Sequence, residues 1–255
     1  MPRKKFASAS TRCGPIVAAG DDMPHAWTSL GERSSSRLFP DRRAAGRDLA
    51  RALLHHAGQD AIVLGLPRGG VPVADEVARA LGATLDVWVV RKLGAPMQPE
   101  LGMGAIAEGP AVVLDRSLIG LVGVSRGQLI AIARREMAEI SRRVARFRGT
   151  RPPPELRGRI VILVDDGIAT GGTMRAAIRA IRRRRPSKLV LAVPVASPDV
   201  LDALRGEVDE VVCLHRPDDL YAIGLWYQDF HQVPDEVVAQ ILDASRRDAI
   251  GARIV

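Results

Sequence analysis

A doubly wound α/β domain with a parallel sheet of about five strands is what the 255 residues predict. Three observations carry that prediction. Short apolar runs rich in branched residues recur at 61–65, 84–92, 161–164, 188–194 and 210–214. Continuous runs of this kind belong to strands buried on both faces. Segments of helical spacing separate most of them, and strand–helix alternation is the mark of βαβ units. A hydrophobic content of 47% is enough for a sizeable core.

Residues 1–36 are rich in Arg, Ser and Gly without a sustained period, so they read as a disordered extension, with one folded domain over 37–255. Met1 to Lys5 is basic, but no apolar signal-peptide core follows it. Asp41 stands where it can cap a helix from Arg42 to His56, with Ala45, Leu49, Leu53 and Ala57 on one face. The strand at 61–65 runs into Leu66-Pro67-Arg68-Gly69-Gly70, and Val71 to Leu81 has helical spacing with Gly82 as its stop. The strand at 84–92 ends in Arg91 and Lys92. Glycines at 94, 102, 104 and 109, with Pro96 and Pro99, then predict a long irregular loop of the kind that closes over a site.

A short strand at 112–114 and a long helix from Ser125 to Phe147 follow. Ile130, Ala133, Met137, Ile140, Val144 and Phe147 step along one side of that helix. Its arginines alternate with Glu136 and Glu139 and no aromatics interleave, which reads as a solvated face rather than a nucleic-acid surface. Pro152 to Pro154 is a stiff link into the strand at 161–164. Met174 to Arg185 is the crossover helix behind that strand. Ser197 and Pro198 open the next helix, and Pro234 to Arg247 closes the chain as an amphipathic helix.

The chemistry concentrates at 161–173. The strand Val161 to Val164 is followed by Asp165 and Asp166, and then by Gly167-Ile168-Ala169-Thr170-Gly171-Gly172-Thr173 at the start of a helix. Ligands of open α/β sheets bind outside the carboxyl ends of the strands. A small, hydroxylated loop opening a helix offers free backbone N–H groups to a phosphate. The adjacent carboxylates would repel that phosphate, and they suit hydroxyl donors such as a ribose diol, or a metal ion. Acid pair plus phosphate cradle points to a sugar phosphate. Arg68, Gly69 and Gly70 form a second cradle, with a fixed cation suited to pyrophosphate. No Walker A loop and no G-x-G-x-x-G after a strand occurs.

Composition bounds the rest. The formal net charge of +8, from 37 basic and 29 acidic side chains, fits a polyphosphate ligand and equally fits nucleic acid. Cys13 and Cys213 are the only cysteines and imply neither a disulfide framework nor a zinc site. No apolar run approaches the ~20 residues of a membrane span, and the chain reads as cytoplasmic. Although aromatics are only 4% of the chain, Tyr221, Trp226, Tyr227 and Phe230 cluster near the end of the last strand. Such a cluster suits either a planar base or a hydrophobic plug over the sheet edge.

Residues 161–173 resemble the phosphoribosyl pyrophosphate (PRPP) signature of type I phosphoribosyltransferases. The likeness extends over about residues 38–245, and it is most specific at 161–173. It implies a small hood over the sheet, from 215–233 and the N-terminal part. It implies Mg²⁺-dependent transfer of the phosphoribosyl group of PRPP to a nitrogenous base, with Mg²⁺ held mainly by substrate. By the same resemblance, Asp165 and Asp166 serve the ribose hydroxyls, and Ala169, Thr170, Gly171, Gly172 and Thr173 take the 5′-phosphate. Arg68, Gly69 and Gly70 take pyrophosphate, and Arg91 and Lys92, at the start of a catalytic loop, stabilise the leaving group. Trp226, Tyr227, Asp229 and Phe230 are the base-site candidates, and a homodimer is the expected assembly. In 6-oxopurine enzymes an Asp stands two residues before the first Gly of the phosphate loop, whereas Ala169 stands there here. A non-catalytic PRPP or nucleotide sensor that binds a partner or nucleic acid is the alternative, and hydrolysis or phosphorolysis of a nucleotide is a third class.

Overall fold

The computed structural model describes residues 16–19, 28–29, 38–109 and 111–251. In chain order the main elements are β1 (Ile16–Ala19), β2 (Thr28–Ser29), α1 (Arg42–Ala52), β3 (Ala61–Gly65), α2 (Gly70–Leu81) and β4 (Thr84–Val87). Next come β5 (Val90–Ala95), β6 (Gln98–Ala107), β7 (Ala111–Leu114), α3 (Arg116–Val122) and α4 (Arg126–Arg148). The remainder is β8 (Ile160–Val164), α5 (Gly172–Arg182), β9 (Lys188–Val195), α6 (Pro198–Arg205), β10 (Glu210–His215) and α7 (Asp235–Gly251).

Five parallel strands run in the order β10-β9-β8-β3-β4, as expected from the alternation of strand and helix. Strand side chains alternate between faces. Ile162 and Val164 therefore join the core under α1, α2 and α7, while Val161 and Leu163 join the core under α5 and α6. All four are fully buried. The chain proceeds from β3 to β4 on one side and resumes at β8 on the other, so the carboxyl ends of β3 and β8 flank the point where strand order reverses. Ligand crevices open at such points.

Two features differ from the sequence expectation. First, the extension expected to be disordered contributes β1 and β2, which pair antiparallel beyond β10 and bring the sheet to seven strands. The four apolar residues of β1 meet the backbone groups that a parallel edge strand leaves unpaired. The rest of 1–36 lies outside the described residues. Second, the segment expected as one strand over 84–92 divides at Trp88 and Val89, and the Gly-rich stretch behind it is regular. Strands β5, β6 and β7 form a separate antiparallel sheet, with register shifts around Gly94. Its glycines allow close approach rather than disorder: a Cβ at Gly104 would lie 2.1 Å from the Val113 carbonyl oxygen.

The two sheets are joined by a buried ionic knot. Arg148, at the end of α4, donates to the Val87 carbonyl at 2.9 Å and to Glu108 at 3.1 Å, and it pairs with Asp86 at 3.3 Å. Burial pushes the Glu108 carboxyl up, while Arg148 beside it works in the other direction. The helix expected from Ser125 is there, with Ser125 and Gln128 forming a capping box. Helix α3, which precedes it, was not anticipated; Asp115 caps its start and Gly123, at φ +70°, stops it. None of its residues is fully buried, and Ile119 packs against the edge of the core. Among the described residues no single helix is long and apolar enough to cross a membrane.

Candidate functional site

Loops 66–70 and 165–171 leave adjacent strands and interlock. The Leu66 N–H donates to the Val164 carbonyl at 2.9 Å, carrying the sheet ladder one residue into the loop. The Pro67–Arg68 peptide is cis. Gly69 lies directly against the acid pair. A Cβ there would sit 1.9 Å from Asp166 Oδ2, and one at Gly70 would sit 2.8 Å from the Asp165 Cα. Only glycine permits this approach. The sequence-predicted pyrophosphate loop and acid pair are thus brought into direct contact.

Asp165 accepts the Asp166 backbone N–H at 2.9 Å. Burial and the Asp166 charge push the Asp165 carboxyl well above the usual carboxylate range. Asp166 is also raised by burial, with Arg42 holding it back. Arg42 Nε donates to Asp166 Oδ2 at 2.7 Å, and its Nη1 donates to the His231 carbonyl at 2.9 Å. The guanidinium carbon lies 3.8 Å from the centre of the Phe230 ring. Tyr227 stacks behind Phe230 at 4.9 Å, and its hydroxyl donates to the Asp166 backbone carbonyl at 2.6 Å. Tyr227→Phe is expected to lower stability by about 1–3 kcal/mol, because the substitution leaves a buried carbonyl unpaired; urea unfolding measures it, and no change would show that water replaces the hydroxyl.

Segments far apart in sequence build this wall. Phe39 N–H donates to the Trp226 carbonyl at 2.8 Å, Gln228 N–H to Phe39 at 2.8 Å, and Asp229 N–H to Pro40 at 3.0 Å. The N-terminal part and the 215–233 region, both anticipated as hood elements, are zipped together beside the acid pair. Between them and loop 66–70 opens a cavity of about 500 Å³, within the range of small-molecule sites. Arg42, Arg68, Gly69, Asp166, Ile223, Phe230, Gln232 and Val233 are among its lining residues.

The loop expected to take the 5′-phosphate sits at the carboxyl end of β8, outside that cavity wall. Gly171 has φ +73°, and no side chain caps the first turn of α5. Ala169, Thr170, Gly172 and Thr173 are exposed. The α5 amides are left facing outward with the positive end of the helix dipole. Arg68 lies within 3.7 Å of Asp235 at the start of α7 and also lines a neighbouring cavity of about 310 Å³.

Other predicted residues fall elsewhere. Arg91 and Lys92 lie on β5 of the second sheet, where Arg91 pairs with Glu136 of α4 at 3.0 Å; neither lines the cavity. Of the base-site candidates only Phe230 lines it. Tyr227 is buried behind the wall, Trp226 packs on His215 at 5.2 Å, and Asp229 turns to His231. Arg42 is the residue that sequence reasoning took only for the start of a helix. One signal was available, since a cation in the first turn of a helix opposes the dipole and so suggests another role.

Comparison with known proteins agrees with this architecture. The family model for the phosphoribosyl transferase domain matches residues 39–225. A Mycobacterium tuberculosis protein, provisionally named a phosphoribosyl transferase, is 47% identical over 212 residues, covering 83% of this chain and 48% of its own length. The chain therefore spans about half the length of that relative. The adenine phosphoribosyltransferase of Mycobacterium marinum is 32% identical over 176 residues, covering 58% of this chain and 91% of that protein. The crystal structure of TT1426 from Thermus thermophilus superposes with a TM-score of 0.68 at 46% identity, covering 80% of this chain and 97% of that one. Fold, interlocked loops and sequence together establish that this chain belongs to the phosphoribosyl transferase family.

Proposed function

We propose that the chain transfers the phosphoribosyl group of PRPP to a nitrogenous base and releases pyrophosphate, with Mg²⁺ as cofactor. The observation that carries this reading is the contact of Gly69 with Asp166, which sets a pyrophosphate cradle and a ribose-binding acid pair side by side. In the reaction the C1′–oxygen bond to pyrophosphate breaks, the leaving oxygen keeps the electron pair, and a ring nitrogen of the base bonds to C1′ as its proton passes to water or to the departing pyrophosphate. Asp165 and Asp166 hold the ribose hydroxyls and favour the positive charge that develops on the sugar. The amides of 171–173 and the Thr170 and Thr173 hydroxyls bind the 5′-phosphate. Arg68, with the Gly69 and Gly70 backbone, receives charge on the departing pyrophosphate. Arg42 and Tyr227 keep Asp166 in place. To Arg91 and Lys92, which lie on β5 outside the cavity lining, the family resemblance gives a leaving-group role.

Hard carboxylate oxygens beside a phosphate cradle are a donor set that suits Mg²⁺, which prefers oxygen ligands and retains water. Bound there, the ion would neutralise pyrophosphate charge. Asp166 is already engaged by Arg42, which fits an ion held mainly by substrate oxygens.

PRPP with Mg²⁺ is expected to raise the melting temperature selectively over ribose 5-phosphate or ATP. At a hundredfold excess over Kd the stabilisation is about 2.7 kcal/mol, or roughly 5–10 °C for a chain of this size. A folded sample that shows no PRPP-selective shift refutes the reading. A shift without pyrophosphate release for any base marks a sensor rather than an enzyme.

A further inference from the structure

We infer that the acceptor is a planar ring presenting oxo or carboxylate oxygens, and that Arg42 reads them. The inference rests on the phosphoribosyl transfer proposed above and names its second substrate by chemical class. The charged groups lining the cavity are Arg42, Arg68 and Asp166. Among the described residues Asp166 is the sole carboxylate in that lining, and its Oδ2 is already taken by Arg42. Asp229 and Asp235 stand near by, but Asp229 is turned to His231, and Asp235, whose Oδ1 has no hydrogen-bond partner among the described residues, lies in the neighbouring cavity 3.7 Å from Arg68 and 3.8 Å from Arg146. A ring whose edge carries only amino donors would meet two guanidinium groups, with Asp166 already shared with Arg42 and the Gln232 amide oxygen as the other side-chain acceptor in that lining. A ring with oxo oxygens or a carboxylate would meet donors.

Arg42 is built to be that donor. Its Nε and Nη1 are held by Asp166 and His231, and its Nη2 has no hydrogen-bond partner among the described residues. Phe230 at 3.8 Å, with Tyr227 stacked behind it, fixes the guanidinium. A planar fork locked in this way is pre-organised for oxygen acceptors. Ile223 and Val233 supply apolar wall for a ring face. The same pair couples the two substrates, since the residue that would touch the acceptor also holds the acid of the ribose site.

The test is pyrophosphate release from PRPP and Mg²⁺ by the full chain. Uracil, xanthine and orotate are compared with adenine and 2,6-diaminopurine. At least one of the first three is expected to exceed both amino-edged rings in kcat/KM by about tenfold or more, because a site dominated by two guanidinium donors pairs the amino edge less completely. Arg42→Met is expected to shrink that ratio as well as the absolute rate, whereas a merely structural Arg42 would lower both classes equally and leave the ratio unchanged. Arg42→Lys, which keeps the charge but not the fork, replaces it if the Met variant does not fold. Preference for adenine, an unchanged ratio, or PRPP binding without release for any ring overturns the inference. Preference for adenine leaves phosphoribosyl transfer standing, and loss of both the PRPP-induced melting shift and pyrophosphate release removes that as well.

Discussion

Replacing Asp165 and Asp166 together by asparagine is expected to lower PRPP-dependent pyrophosphate release by about 10³-fold or more, since charges aimed at a developing cation are among the largest contributions to catalysis. The same site predicts an opposite effect on stability. Burial, and for Asp165 the neighbouring charge, raises both carboxyls in the folded state. The sign follows from linkage: a raised carboxyl favours the fold below the unfolded value near pH ~4, and that advantage is lost as pH rises through the folded value. At pH 8 the native chain therefore holds these carboxyls at a greater cost than at pH 4. The single variant Asp165→Asn keeps an acceptor for the Asp166 N–H, leaves the Arg42 pair intact and removes one of the two titrating groups. Its melting temperature should exceed the parent's at pH 8, with the gap closing toward pH 4. A lower melting point at pH 8, or full turnover by the double variant, would show that the pair has been misread.

Gly69→Ala is the second large effect. The new methyl would lie 1.9 Å from Asp166 Oδ2 and 3.1 Å from Arg42 Nε in their present positions. Either the acid pair or the loop must move. Overpacking of this kind destabilises by about 1–3 kcal/mol, and PRPP binding should disappear with it, because both cradles share the contact. Gly127→Ala in the first turn of α4 is the comparison: its nearest neighbour is 4.0 Å away, and alanine in a helix is favoured by up to about 1 kcal/mol. Melting curves with and without PRPP distinguish the two. If Gly69→Ala melts like Gly127→Ala and still binds PRPP, the interlocking of the loops has no functional weight.

Much of the molecule was legible in its residues. Apolar runs such as 161–164 can be satisfied only in a doubly covered strand, and the small residues at 169–173 only where a backbone must stay open, so the parallel sheet and its two Gly loops follow from local chemistry. Signals that depend on partners were not legible. The glycines of 94–109 look like a loop because glycine disfavours strands in isolation; their use in β5 and β6 depends on how closely β7 approaches across the sheet. Residues 16–19 could become a strand only because β10 offers an edge.

The sequence by itself determined the fold class and set the acid pair and the two glycine loops at the ends of their strands, because each is written in consecutive residues whose backbone preferences agree. Tertiary structure alone decided the wall facing them. Arg42 reaches Asp166 across 124 positions of chain and Tyr227 reaches it across 61. No local pattern encodes a hydrogen bond between segments that meet only after the sheet has formed, so the residues that hold the acid, and the charge of the cavity beside it, became visible only in three dimensions.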